Sequence, residues 1–350
     1  MASTVASLSN SPLVIFMSRS LRTATRFSIV LSLASVMSAQ TYKAIGEYKL
    51  PGGSAKGIAI DSDGRRLFVA SGDGIAVLNA DTGASLGMIS GVKEAQDVLL
   101  VPEMNGEEPA ASTKGFATDA SGHVVGFSLA SMAPTSTIKL ETSGAASLCY
   151  DTETKTVEAI SPGGSLTTIN ADSGKVEKAE KIATGTGQIA CGNMGHVYVA
   201  DPAANVVHVL NHETYQNDGD YPMKTGSKPT GLALDTKGRR LFVTCEDGTV
   251  EIIDTDSGFT FIELKGGSGR AHETFAWLPQ GKGQWKAAAF VVQEDGTLSG
   301  IRMNAFINYS MGGRYKLPPG LGPVAYDSKT HHLFITGTDA GTPVVVVAGY

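Results

Sequence analysis

The tetrapeptide Arg270-Ala271-His272-Glu273 sets a guanidinium, an imidazole and a carboxylate within four residues, the densest grouping of chemically able side chains in the chain. A histidine beside a carboxylate and a cation supplies a general base, its orienting partner and an oxyanion stabiliser. On an extended backbone, however, alternate side chains face opposite ways, so Arg270 and His272 share one face and Glu273 takes the other. The competing reading is a polar rim that solvates a channel mouth. His208 and His212 have a spacing that binds zinc on a helix, but here they span a strand end and a turn and read as surface histidines. His331-His332 reads as a turn. Cys149, Cys191 and Cys245 are too few for a disulfide framework and read as buried thiols, with a Cys149 to Cys191 bridge as the alternative. No haem-attachment motif, phosphate-cradling glycine loop or nucleophile elbow occurs, so no cofactor is expected, and no metal site either.

The elements that must position these residues come from a repeat. GIAIDSDGRRLFVASGDGIAVLNADTG, from Gly57, returns as GLALDTKGRRLFVTCEDGTVEIIDTDSG from Gly231. Each copy reads as three strands separated by turns: Gly64 and Gly238 close the first turn, Asp73-Gly74 and Asp247-Gly248 mark tight hairpins, and an Asn or Asp turn ends the unit. The copies lie roughly 174 residues apart, about four units of ~43, the length of a four-stranded propeller blade. Intervening copies start near Gln96, Ala146 and Gly187, and later ones near His272 and Gly322. Seven starts imply an all-β, seven-bladed β-propeller. The last copy stops short of its fourth strand, which Tyr42 to Leu50 can supply, so the ring closes without exposed edges.

The runs Leu67-Phe68-Val69-Ala70, Val197-Tyr198-Val199-Ala200, Leu241-Phe242-Val243-Thr244 and Leu333-Phe334-Ile335-Thr336 resemble the YVTN-repeat β-propellers, a group similar to the YncE-like and lactonase-like secreted propellers. Ser71, Asp201, Cys245 and Gly337 stand where that family has its defining Asn, so the resemblance is one of superfamily. GRAHETFAWLPQGK is loosely similar to the Gly-Pro-Arg-His segment of the lactonase branch through Gly269, Arg270, His272, Phe275 and Pro279. The resemblance thus implies an alternative function, a lactone hydrolase with its site at Arg270, His272 and Glu273.

In a propeller, the loops entering the innermost strands and the hairpins between second and third strands share the face around the axial channel, where ligands bind. The entering loops carry Lys56, Gln96, Gln188, Lys228, Arg270 and His272, the expected ligand-binding set. The hairpin acids Asp73, Asp119, Asp201, Asp247, Asp295 and Asp339 would ring the same face, each where a turn wants Asp for its own backbone. Trp277 and Trp285 read as packing between blades. Two segments exceed the repeat, 104–113 and 304–319, and the second holds Phe306, Tyr309 and Tyr315, which suit a partner contact.

Residues 1 to 39 differ from the rest: Arg19, Arg22 and Arg26 with no acid, then an apolar run from Phe27 to Met37, then Ser38-Ala39. This order is that of a secretory signal, with Met17 a candidate true start, and the run is too short to span a bilayer. Its removal would take the net charge from −6 to about −9. An acidic surface argues against nucleic acid. The chain is therefore expected to be a secreted or periplasmic monomer, residues 40–350 forming one propeller that acts as a non-catalytic binding module for a protein or small-molecule ligand, with no membrane span after signal cleavage.

Overall fold

Leu67, Phe68, Val69 and Ala70 are all fully buried, although neighbouring side chains on a strand point to opposite faces. Both faces of their sheet must therefore be covered. The same holds at 197–200, 241–243 and 333–335, a pattern that one solvated face would forbid.

The computed structural model describes residues 42–349 apart from 51–52, 106–107, 145, 184, 193–194, 280–284 and 306–307. Among the described residues it meets this demand with seven four-stranded antiparallel sheets and no helix: a seven-bladed β-propeller. Blades 1 to 6 occupy 58–90, 95–139, 147–181, 189–222, 229–265 and 271–316 in order, each strand pairing with the next. The proposed leader, 1 to 39, lies outside the described residues. Innermost strands such as Ile58–Asp61, Ile189–Cys191 and Val324–Tyr326 surround the axis, while outer strands such as Val176–Lys181 are mostly solvated.

Blade 7 is built from both ends of the described chain. Lys43–Lys49 pairs antiparallel with Thr342–Gly349, with Tyr48 opposite Val345 and Lys43 opposite Gly349. Tyr48 packs its ring 6.2 Å from that of Phe334 and donates its hydroxyl to Ala80 O in blade 1 at 2.9 Å. Tyr42 donates to His331 O at 2.6 Å and packs edge-on against Phe290 of blade 6. The closing strand thus touches both neighbouring blades as well as its own.

The core lies in the seams between blades, where one sheet's side chains interdigitate with the next. Phe68 of blade 1 stacks on Phe127 of blade 2, and Phe242 of blade 5 meets Phe275 and Tyr309 of blade 6. Tyr309 is 4 % exposed, so it is a seam residue rather than a partner contact. Tyr315 packs half-buried against the blade 6 and 7 cluster, and Phe306 lies outside the described residues. The two excess segments extend hairpins: Ala95–Asn105 with Glu108–Asp119 in blade 2, and Thr297–Ala305 with Asn308–Lys316 in blade 6. Trp277 and Trp285 sit in the first hairpin of blade 6, their side chains outside the described residues.

Local turn chemistry differs in detail from the sequence reading. In the first turn, Asp61 Oδ1 accepts Gly64 N at 2.9 Å and Asp235 Oδ1 accepts Gly238 N at 2.8 Å, but the left-handed residue is the next one, Arg65 (φ 52°) or Arg239 (φ 55°). In the second turn it is Gly248 in blade 5, as expected, but Gly72 in blade 1, two residues before Gly74. Each terminal turn folds around a side-chain acceptor: Asn79, Asn170, Asn211 and Asp254 each accept two backbone N–H groups, such as Asp81 N at 3.0 Å and Thr82 N at 2.9 Å on Asn79.

The seam between blades 3 and 4 is covalent. Cys149 and Cys191, on the innermost strands Ser147–Asp151 and Ile189–Cys191, form a disulfide with Cα atoms 5.5 Å apart, which replaces the expectation of free thiols there; Cys245 is free and buried. Closing a loop of 42 residues stabilises a fold by about 4 kcal/mol in the chain-entropy account. The same seam buries Glu158, whose carboxylate accepts hydroxyls from Thr156 at 2.7 Å, Thr168 at 2.9 Å and Tyr215 of blade 4 at 2.8 Å. Burial outweighs these donors and pushes its pKa up to about 7 from 4.5.

Two outcomes follow. Excising residues 42–50 removes the closing strand and leaves the edge of Thr342–Gly349 unpaired, so the thermal midpoint should fall by roughly 10 °C and the transition should broaden; calorimetry of the excised and parent proteins checks this. Glu158 binds its proton more tightly when folded than unfolded, so its contribution to stability falls as pH rises from about 4.5 to about 7. Glu158→Gln should flatten that part of the stability–pH curve, by up to roughly 3 kcal/mol in urea titrations at the two limits.

Candidate functional site

All seven innermost strands, with their entering loops, enclose one cavity of about 860 Å³ on the propeller axis. Its walls are apolar at Ile58, Leu148, Ile189, Leu232 and Val324, and its ionisable groups are Lys56, Asp97, Arg270, His272, Glu273 and Glu294. Ligand sites combine an apolar wall with a few directed polar groups in this way. Gly57 shapes the wall between blades 1 and 2: its N–H donates to Gln96 O at 2.8 Å, and a Cβ there would meet Asp97 Cα at 2.5 Å, so any side chain would force the blades apart.

Five of the six expected ligand-binding residues, Lys56, Gln96, Gln188, Arg270 and His272, line this cavity. Lys228 does not. Its backbone is left-handed (φ 58°), and its exposed ammonium pairs with Glu246 at 3.3 Å, outside the lining. Lys56 Nζ donates to Gln96 Oε1 at 2.8 Å, and Gln96 Nε2 donates to Glu94 O at 2.6 Å.

Strand alternation separates the Arg-Ala-His-Glu cluster as pleating requires. His272 turns toward Gly322 of blade 7, where a methyl group would lie 3.5 Å from Nε2. Glu273 turns toward blade 5, accepts the Thr244 hydroxyl and packs against Gly231. The imidazole and carboxylate therefore do not form a dyad. Glu273 is 9 % exposed, its Oε2 has no partner, and burial raises its pKa well above 4.5. His272 keeps some surface on the cavity side, yet protein crowds its other sides; that desolvation, helped by the Arg270 charge, holds its pKa down at about 4.

Gln188 fixes the imidazole's tautomer. Its Oε1 accepts Leu232 N at 2.9 Å, which leaves its Nε2 to approach His272 Nδ1 at 3.5 Å as a weak donor. Nδ1 is then the acceptor, and the neutral ring carries its proton on Nε2.

Asp97 is a lining residue that the sequence reading missed. Its Oδ1 accepts Val98 N at 2.9 Å and its Oδ2 Leu148 N at 3.3 Å, tying blade 2 to blade 3, while burial pushes its pKa up to about 6. The available signal was an acid at the third residue of its strand, the position that Glu273 holds in Ala271–Pro279. Glu294, also missed, accepts Arg270 N at 3.4 Å at the cavity rim.

The remaining groups stay apart. None of the six hairpin acids lines the cavity; Asp201, Asp247 and Asp295, for example, accept turn N–H groups at 2.8 to 3.0 Å. His208 lies between Asp220 at 2.7 Å and Asp201 at 3.3 Å, whereas His212 reaches Asp151 of blade 3 at 2.9 Å, so the two histidines do not converge. His331 closes the last first-turn with φ 61° and meets the Tyr326 hydroxyl at 2.6 Å.

The fold and its lined axis define the class: a seven-bladed propeller with a ligand-sized axial cavity. No family model matches the sequence, and no curated protein matches it. Among solved structures, a chain from "Crystal Structure of Mitotic Checkpoint Complex" aligns with a TM-score of 0.70 and 11% identity over 97% of this chain and 99% of that one. With 1776 solved chains matching, this likeness identifies an architecture and not an activity.

The tautomer and charge of His272 are directly measurable. In ¹⁵N-resolved NMR its ring should remain neutral with the proton on Nε2 from pH 8 down to pH 5 and titrate near 4; a midpoint near the ordinary 6.5 would contradict the desolvation described.

Proposed function

We propose that this protein is an exported, non-catalytic propeller of the YVTN-repeat group that binds a small molecule in its axial cavity. The observation that carries this reading is the cavity itself, about 860 Å³, walled by every blade and furnished with a few directed polar groups. Export is supported by the leader-like order of residues 1 to 39 and by the Cys149–Cys191 bridge, because disulfides persist in oxidising compartments. The hydrolase alternative draws less support: a general base needs a partner to orient it, and Glu273 turns to Thr244 while His272 faces the Gln188 amide.

The test joins location to binding. Protein recovered from outside the cytoplasm should begin near Gln40 by mass spectrometry. In saturation-transfer NMR against a fragment library, ligands of the parent should be lost in Ser147→Phe, which places a ring in the half-buried cavity wall. Ligands that bind the folded variant as well as the parent would place the binding elsewhere.

A further inference from the structure

Blade 7 leaves a notch in the cavity mouth. Its entering loop, Gly320-Leu321-Gly322-Pro323, presents no charged side chain, and the space beside Gly320 is open to more than 4 Å from a would-be Cβ. Blades 6 and 1 flank the notch in the ring, and their loops contribute Arg270 and Lys56 to the cavity lining, the Lys56 ammonium resting on Gln96 of blade 2. A hydrogen-bonded chain fixes one flank: Gly322 N donates to Thr336 O at 2.8 Å, and the Thr336 hydroxyl bonds Lys56 O. On the other flank His272 aims Nε2 at Gly322. Arg270 lies in the bend just before that strand and lines the same cavity.

Charge pairing around the notch is one-sided. Among the described residues neither Lys56 nor Arg270 joins an ion pair, and the ammonium of Lys56 rests on a neutral amide. The nearby carboxylates are already directed: Asp97 to Val98 N and Leu148 N, Glu273 to Thr244, and Glu294 to Arg270 N. The site therefore offers two cations without an ion pair and one neutral N–H donor, with the Glu294 carboxylate held at its rim on Arg270 N.

We propose that this notch is a subsite for the carboxylate of a small organic acid, received by His272 Nε2–H, Arg270 and Lys56, with the acid's apolar body lying along Leu232, Ile189 and Leu148. This rests on the binding-module reading and specifies its ligand. A carboxylate has lone pairs for all three donors, and charge-assisted bonds of this kind are about twice as strong as neutral ones. A ring held neutral by desolvation donates without adding a third buried charge. The apolar wall favours an aliphatic or aromatic acid over a polyanion, whose further charges would meet no donor.

The experiment compares 4-phenylbutyrate with 4-phenylbutanamide, a pair alike in shape and different in charge, on the full chain at pH 7 by calorimetry and by the His272 ¹⁵N signals. The acid should bind at least tenfold more tightly than the amide, with a salt-dependent affinity, and should move the Nε2 resonance. Arg270→Gln and Lys56→Gln, both at exposed positions, should each weaken the acid by roughly fivefold to tenfold and leave the amide unchanged. Equal affinity of acid and amide, both perturbing His272, would overturn the carboxylate subsite and leave the binding reading standing. If neither compound perturbs His272 at millimolar concentration, both ideas fall.

Discussion

The antiparallel pairing of Lys43–Lys49 with Thr342–Gly349 is the contact on which the rest of the molecule depends. Every other sheet is made of consecutive strands, so local turns suffice to hold it. Blade 7 alone requires residues from the two ends of the described chain to meet, and without it blades 1 and 6 would each expose an apolar face. The side chains placed at this junction reflect that demand. Tyr42 and Tyr48 satisfy part-buried hydroxyls on His331 O and Ala80 O, and Arg65 of blade 1 pairs with Asp327 of blade 7 at 2.7 Å as well as with Asp81 at 2.6 Å. Directed polar contacts of this kind specify one register where apolar contact alone would tolerate several.

The architecture was legible because its signals are repeated. Apolar runs at consecutive positions, terminal Asn or Asp turns, and a missing fourth strand in the last copy each follow from stacked sheets in a closed ring, and each recurs or is explained by recurrence. What escaped the sequence reading depends on which residues become neighbours across a seam. Cys149 and Cys191 lie in separate blades, and only the packing of their innermost strands brings their Cα atoms to 5.5 Å. Tyr309 read as a partner contact because it falls in a segment that exceeds the repeat, yet the partner ring of Phe242 belongs to the preceding blade. Lys228 read as a channel residue from its place in the repeat, but a left-handed backbone swings its ammonium to Glu246.

The candidate site was legible by place and not by chemistry. The entering loops correctly located five lining residues, because topology dictates which loops meet at the axis. Strand alternation correctly set Glu273 apart from His272. Neither argument could supply the Gln188 bridge, which spans from blade 4 past Leu232 of blade 5 to His272 of blade 6 and decides where the imidazole carries its proton. Nor could they supply Asp97, whose role is to bind backbone N–H groups on two blades at once. Desolvation then does the rest: the same enclosure raises the pKa of Glu273 and lowers that of His272, so two groups that look like an acid and base pair in sequence each favour the uncharged form while facing different blades.

The long hairpins of blades 2 and 6 have a geometric corollary. Their tips join first to second strands, or third to fourth, whereas the cavity mouth is built from the opposite set of connections. Strands of 11 and 12 residues in blade 2 therefore overhang the far end of the axis. The two ends of the axis are thus dissimilar, one bordered by short loops and the other by the long hairpins, and a solute diffusing toward the axis meets a different obstacle from each direction.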